Sequence, residues 1–210
     1  MCVHIPRINN PMSPYMSENL AKYDAPHPIM QYLISRFQRR FFGLLKKADP
    51  KTVLEVGCGE GFLLNYIAGR DARLRLSGVD LSYAAVHFAR DRFALNSGLL
   101  VGSVYDLPFR AGVFDLVVCS EVLEHLSDVP RAVAELQRIS ARHVLISVPL
   151  EPYFRFFTDC AVRLGLGENA SHIQFWSSQD FTRFVHKSFP VVLAMERCFP
   201  YQMALCESQR

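Results

Sequence analysis

The sequence predicts an α/β protein, a three-layer sandwich whose mostly parallel sheet lies between two layers of helices. Two observations predict it. From residue 50 to 149, short apolar runs alternate with helix-patterned segments, the order that builds parallel sheets from crossover units. The first run, Val53-Leu54-Glu55-Val56, opens directly into Gly57-Cys58-Gly59-Glu60-Gly61 and an apolar helical stretch. Glycine at alternate positions lets the backbone turn through conformations other residues avoid and lets a ligand touch the main chain. A helix start beyond it aims its positive dipole end at that ligand.

The elements follow in order. Residues 1–27 are rich in Pro, Asn and Ser without a period and read as an N-terminal arm. From Pro28 a lid helix runs to residue 48, with Met30, Leu33, Ile34, Phe37, Phe41, Leu44 and Leu45 on one face. Lys46 and Lys47 suit its C-terminus, and Asp49-Pro50 stops it. The core at 50–149 then reads as strand 52–56, helix 61–68 closed by Gly69, strand 73–79, and a helix capped by Ser82. A short strand at 98–101, strand 114–119, a helix after Asp128 with Pro130 in its first turn, and strand 142–148 complete it. Residues 150–189 read as a substrate-side insert: a helical stripe of Phe154, Phe157, Ala161 and Leu164, then a helix at 178–187. Residues 190–195 and 200–206 read as two strands joined through Pro200, within a terminal unit at 190–206.

The bulk properties bound the class. A chain of 210 residues fits one domain with a sizeable core. The net charge of +3 is too mild to argue for nucleic acid, so no nucleic-acid partner is expected. Six scattered cysteines without a C-x-x-C pair favour reduced thiols and a cytoplasmic protein. No run approaches the ~20 apolar residues that span a bilayer, which leaves room only for surface association. A monomer or homodimer fits these features.

The spacing of the glycines carries the chemistry. It is Gly-x-Gly-x-Gly, and Phe62 stands where a dinucleotide fingerprint needs its third glycine. Glu55 lies two positions before the first glycine. Asp80 ends the next strand, Leu74-Arg75-Leu76-Ser77-Gly78-Val79-Asp80, where a carboxylate accepts hydrogen bonds from both hydroxyls of a ribose. Ser82 is the better helix cap, which leaves Asp80 free for that role. Three more blocks follow: Asp106-Leu107-Pro108-Phe109, Phe114-Asp115-Leu116-Val117-Val118, and Ser120-Glu121-Val122-Leu123-Glu124-His125-Leu126.

In these blocks the chain resembles the class I S-adenosylmethionine-dependent methyltransferases, closely over about residues 50–150 and loosely elsewhere. The resemblance implies a Rossmann-like, seven-stranded, mostly parallel sheet ending in an antiparallel hairpin, with S-adenosyl-L-methionine as cofactor. It assigns Glu55 to the cationic methionine end and Gly57, Cys58, Gly59 and Gly61 to the loop that gives backbone contacts. Asp80 and Leu81 fall to the ribose and its surroundings, Ser103 and Val104 to the adenine, and Ser120 to the carboxyl end of the fourth strand. Ser103 departs from the aspartate frequent at that position and offers a weaker acceptor. Asp106 either compensates or only caps the Leu107-Pro108 turn.

The implied reaction is methyl transfer to a small-molecule acceptor, on oxygen by in-line displacement, with His125, Glu121 and His172 as the candidate catalytic groups. Proton removal by His125 or Glu121 is one reading of the Glu-x-x-Glu-His block. Structural support of the loop is a second. The third is metal ligation by Glu121, Glu124, His125 and His172, a set similar to that of small-RNA 2′-O-methyltransferases; ubiquinone-biosynthesis O-methyltransferases carry a similar block. No metal is assigned on the sequence. A nicotinamide-dependent oxidoreductase is the further alternative, opposed by Phe62 and the lack of a Tyr-x-x-x-Lys pair. A non-catalytic cofactor-binding protein is the last. Tyr23 and His27 are expected over the cofactor. Among the aromatics of 150–177, Tyr153, His172 and Trp176 are expected to face the acceptor, and the others to be core.

Overall fold

The computed structural model describes residue 23 and residues 28–93, 98–155 and 172–209. Helix α1 (Pro28–Ala48) precedes strand β1 (Thr52–Val56), helix α2 (Phe62–Ala68), β2 (Arg75–Asp80), α3 (Tyr83–Phe93), β3 (Gly98–Val101) and β4 (Phe114–Ser120). A 3₁₀ turn (Leu123–His125), α4 (Val129–Ile139), β5 (Ser140–Pro149), α5 (Ser178–Ser188), β6 (Val192–Cys198) and β7 (Tyr201–Glu207) follow. The seven strands form one sheet in the order β3-β2-β1-β4-β5-β7-β6. The first five run parallel, and β7 pairs antiparallel with both β5 and β6. The expected mostly parallel sheet with a terminal hairpin is therefore present.

The central strands are buried on both faces, and their side chains alternate between two cores. Val53, Leu116, Val118 and Leu145 pack under α1, α2 and α3 with Phe41, Leu45, Leu64 and Ala89. Leu54, Val117, Cys119 and Ile146 pack under α4 and α5 with Val133, Leu136, Phe181 and Val185. Thus α1 is a layer of the core from Ile34 onward, with Phe37, Phe41, Leu44 and Leu45 buried, whereas Ile29, Met30 and Tyr32 at its start are exposed.

Local chemistry sets the element ends. Ser82 caps α3 by accepting from the Ala85 N–H at 3.2 Å. Asp128 caps α4 by accepting from the Arg131 N–H at 3.1 Å. The second strand begins at Arg75 rather than 73, because Asp71 draws the Arg73 N–H and guanidinium onto its carboxylate and holds a turn. The last strands begin later than expected, at Val192 and Tyr201. Of the stripe expected through Phe154, Phe157, Ala161 and Leu164, only Phe154 lies within the described residues.

The strand order reverses between β1 and β4, which leave in opposite directions along the sheet. Ligands bind in the crevice at such a switch point, beyond the carboxyl ends of the strands. The glycine loop after β1, Asp80 at the end of β2 and the Glu121–His125 segment after β4 all lie there.

Candidate active site

Three glycines of the loop adopt left-handed conformations, with φ of 75° at Gly57, 50° at Gly59 and 76° at Gly61. The loop is closed by its own hydrogen bonds. The N–H groups of Gly57 and Cys58 both donate to the Val79 carbonyl, at 2.7 and 3.1 Å, and that of Gly61 donates to the Cys58 carbonyl at 2.9 Å. The Gly59 N–H donates to Asp80 Oδ2 at 2.7 Å. The N–H groups of Gly57, Cys58, Gly59 and Gly61 are thus already engaged.

Glu55 places a buried carboxyl group beside the loop. Its side chain is 3% exposed, and Oε2 has no hydrogen-bond partner among the described residues. Burial raises its carboxyl pKa well above the ordinary value, and the nearby Asp80 charge adds to the rise; the Leu64 backbone N–H in the first turn of α2 opposes it. A buried carboxylate already occupies the helix start where a pyrophosphate would sit. The donor set fits S-adenosylmethionine, whose ammonium and sulfonium are cationic and which carries no phosphate.

Asp80 is not free, contrary to the expectation from Ser82 capping. Oδ2 takes the Gly59 N–H and Oδ1 takes the Ser82 N–H at 2.8 Å. A carboxylate has about four acceptor positions, so two bonds leave room for ribose hydroxyls while fixing the carboxylate's orientation. Leu81 beside it is 77% exposed, an apolar surface at the position assigned to the cofactor. The Cys58 thiol is buried, and burial pushes its pKa up, with the Glu55 and Asp80 charges adding to it, which disfavours the thiolate. A Cβ on Gly78 would lie 2.8 Å from Cys58 Sγ, so the thiol packs inward.

On the adenine side, Ser103 Oγ accepts from the Tyr105 N–H at 3.2 Å, and the Asp106 N–H donates to the Ser103 carbonyl at 3.1 Å. Ser103 thus spends acceptor capacity on its own turn. Val104 is partly buried against the second core. Tyr23 stacks on Phe62 with centroids 4.3 Å apart and planes 7° apart, and Phe93 meets Phe62 edge-on. The residue replacing the third dinucleotide glycine is the base of an aromatic stack beside the loop. His27 lies outside the described residues.

The catalytic block is drawn together by long-range bonds. The N–H groups of Ile173 and Gln174 both donate to the Glu124 carbonyl, at 2.9 and 3.0 Å, and Gln174 Nε2 donates to the Leu126 carbonyl at 3.1 Å. This stitching brings His172 onto His125, ring centroids 4.8 Å apart in an edge-on arrangement. Phe154 stacks on the other side of His172. Glu124, His125 and His172 each bring one ligand atom within 4.8 Å of the others. Glu121 is not among the three. Its carboxylate accepts from Ser147 Oγ at 3.2 Å, so the four-residue set considered from sequence converges as three. Ser120 Oγ lies 2.9 Å from Ser147 Oγ. Sequence reasoning missed Ser147, which sits within an apolar strand run.

The three residues expected to face the acceptor take different settings. Trp176 is partly buried against the second core, packing on Phe181 and Phe184. Tyr153 is exposed, with Phe199 at its edge. His172 stands beside the 3₁₀ turn, against His125.

Comparison with known proteins agrees with this geometry. A family model described as a methyltransferase domain matches residues 54–146. Malonyl-[acyl-carrier protein] O-methyltransferase of Geobacter sulfurreducens is 32% identical over 62% of this chain and 49% of its own. Ubiquinone biosynthesis O-methyltransferase of Thiobacillus denitrificans is 39% identical over 42% of this chain and 39% of its own. The chain thus spans half or less of these relatives' length. Among solved structures, the methyltransferase domain of bacterial CtHen1-C shares the fold with a TM-score of 0.68 at 21% identity, covering 85% of this chain and 100% of that one. Residues 54–146 are thus similar to a methyltransferase domain, and the sheet is the fold of the solved methyltransferase structures.

Proposed function

We propose that the chain transfers the methyl group of S-adenosylmethionine to a hydroxyl of a small-molecule acceptor. The observation that carries the reading is Glu55, a buried carboxylate with an unpartnered oxygen beside a loop whose N–H groups are already bonded. That arrangement favours a cationic, phosphate-free ligand and disfavours a dinucleotide, because Asp80 would repel a pyrophosphate, whereas a cation beside Glu55 draws its carboxyl into the ionised form. Bound there, the cofactor supplies an electrophilic methyl group on a positively charged sulfur. Glu55 holds its ammonium, Asp80 its ribose hydroxyls, and Leu81, Ser103 and Val104 border its adenine. His125 takes the acceptor hydroxyl proton, His172 fixes the His125 ring, and Glu121 orients the acceptor. Residues 150–189 supply the acceptor side. The four described cysteines are free and buried, and no described helix is long and apolar enough to cross a membrane, which supports a cytoplasmic setting.

Calorimetric titration with S-adenosylmethionine, its demethylated product and NADH tests the cofactor. Transfer of a radiolabelled methyl group to a panel of phenols, catechols, hydroxy acids and malonyl thioesters tests the acceptor. Saturable binding of the first two ligands alone, with label in a hydroxyl acceptor, is the expected result. NADH binding or labelling of nitrogen alone would sink the reading.

A second reading, metal-assisted transfer, is favoured by the convergence of Glu124, His125 and His172. One carboxylate and two imidazoles suit a divalent ion, which would lower the pKa of an acceptor hydroxyl. Loss of activity in EDTA and recovery with Mg²⁺ or Mn²⁺ distinguishes it from proton removal by His125.

A further inference from the structure

Glu121 immediately follows β4 and has φ of 58°, a left-handed conformation rare for a residue with a side chain. Ser147 of β5 holds it at two points. The Glu121 N–H donates to the Ser147 carbonyl at 3.1 Å, and Ser147 Oγ donates to Glu121 Oε1 at 3.2 Å. Ser147 has one hydroxyl proton, and Glu121 receives it. The 2.9 Å contact with Ser120 must therefore be a donation from Ser120 to Ser147. Two hydroxyls in series end on one carboxylate, and each bond polarises the next.

Packing alone does not explain these serines. Ser120 and Ser147 are register partners at the carboxyl ends of β4 and β5. Ser147 is fully buried, and Ser120 nearly so. The same sheet face carries Leu116, Val118 and Leu145 in the first core, and Met203 lies opposite Ser147 on β7. Small apolar residues would fill the row without burying hydroxyls. Tyr201 of β7 is buried in the same core beside the Glu121 and Glu124 charges.

We infer that Ser147 is a positioning residue for methyl transfer, fixing the Glu121 carboxylate at the acceptor through the Ser120–Ser147–Glu121 hydrogen-bond chain. The inference rests on the methyl-transfer reading for its chemistry and on the Ser147–Glu121 bonds for its geometry. Ser147 touches neither cofactor nor acceptor. Its hydroxyl sets the orientation of Glu121 and its carbonyl holds the strained backbone.

The test compares wild type, S147A, S147C, S147T, E121Q and the S147A/E121Q double variant. Thermal melts and product titration check fold and cofactor site. With an acceptor from the panel, S147A and S147C lower kcat about tenfold, the scale of one hydrogen bond to a charged group. KM and product affinity stay unchanged, S147T recovers most of the rate, and the double variant is no slower than E121Q. Wild-type kcat in S147A, or losses that multiply in the double variant, would overturn the inference. If wild type methylates nothing, the methyl-transfer reading falls. The crystal structure of S147A, or of S147C should S147A not fold, then decides positioning alone. A displaced Glu121 carboxylate upholds its positioning by Ser147, and an unmoved one overturns it.

Discussion

Gly57 and Val122 approach so closely that a Cβ on Gly57 would lie 2.2 Å from Val122 Cγ2. The first residue of the cofactor loop is thus in van der Waals contact with the segment that carries Glu121, Glu124 and His125. The φ of 75° at Gly57 forbids relief by a small backbone adjustment.

Gly57→Ala should therefore act on both sides of the crevice. Overpacking together with the left-handed backbone predicts a loss of roughly 1–3 kcal/mol in stability. Affinity for the demethylated cofactor should fall as well. Denaturant melts and calorimetry check this, and a variant with unchanged stability and affinity would contradict the contact.

Glu55→Gln separates fold from function. The folded pKa of Glu55 is raised, so above the ordinary carboxylate range the folded chain retains a proton that the unfolded chain has lost. Wild-type stability from this group accordingly falls as pH rises from that range toward the raised pKa. The glutamine variant should lack this decline and melt higher than wild type near neutral pH without ligand. Its cofactor affinity should drop about ten- to hundredfold, the scale of a charge-assisted bond. In wild type, cofactor binding should release protons at pH values where Glu55 is protonated, visible as a buffer-dependent binding enthalpy.

Asp80→Asn keeps the size of the side chain but replaces one acceptor oxygen with a donor. That NH₂ cannot accept from the Gly59 or Ser82 N–H groups, which both donate to Asp80 now. Cofactor affinity should fall at least tenfold, and the loop should loosen. Amide exchange at Gly59 reports the second effect, and unchanged protection would show that the loop does not depend on Asp80.

His125→Ala and His172→Ala divide the two catalytic readings. If His125 takes the proton, H125A should lose about a hundredfold or more in kcat while H172A loses less, with no response of either to EDTA. If the trio holds a metal, both should lose divalent-ion dependence together with activity. Rates measured with and without added Mg²⁺ decide between them.

Much of the fold was legible because it rests on local chemistry. The start of α1 at Pro28 and its stop before Asp49-Pro50 follow from side-chain periodicity and proline, and the caps at Ser82 and Asp128 from hydrogen bonding within one turn. The alternation of strands and helices set the parallel sheet, and the glycine spacing with Glu55 and Asp80 named the class of cofactor. Long-range partners were decided only by the tertiary structure. The Val79 carbonyl that occupies the Gly57 and Cys58 N–H groups comes from the neighbouring strand. His172 reaches His125 because its segment bonds to the Glu124 carbonyl, and Trp176 goes to the core with α5. Ser147 meets Glu121 through strand register. Periodicity and spacing report which face a residue takes and how its own turn closes. They carry no record of which distant group satisfies a buried donor or acceptor, and in this protein that pairing decides which atoms remain for the ligand.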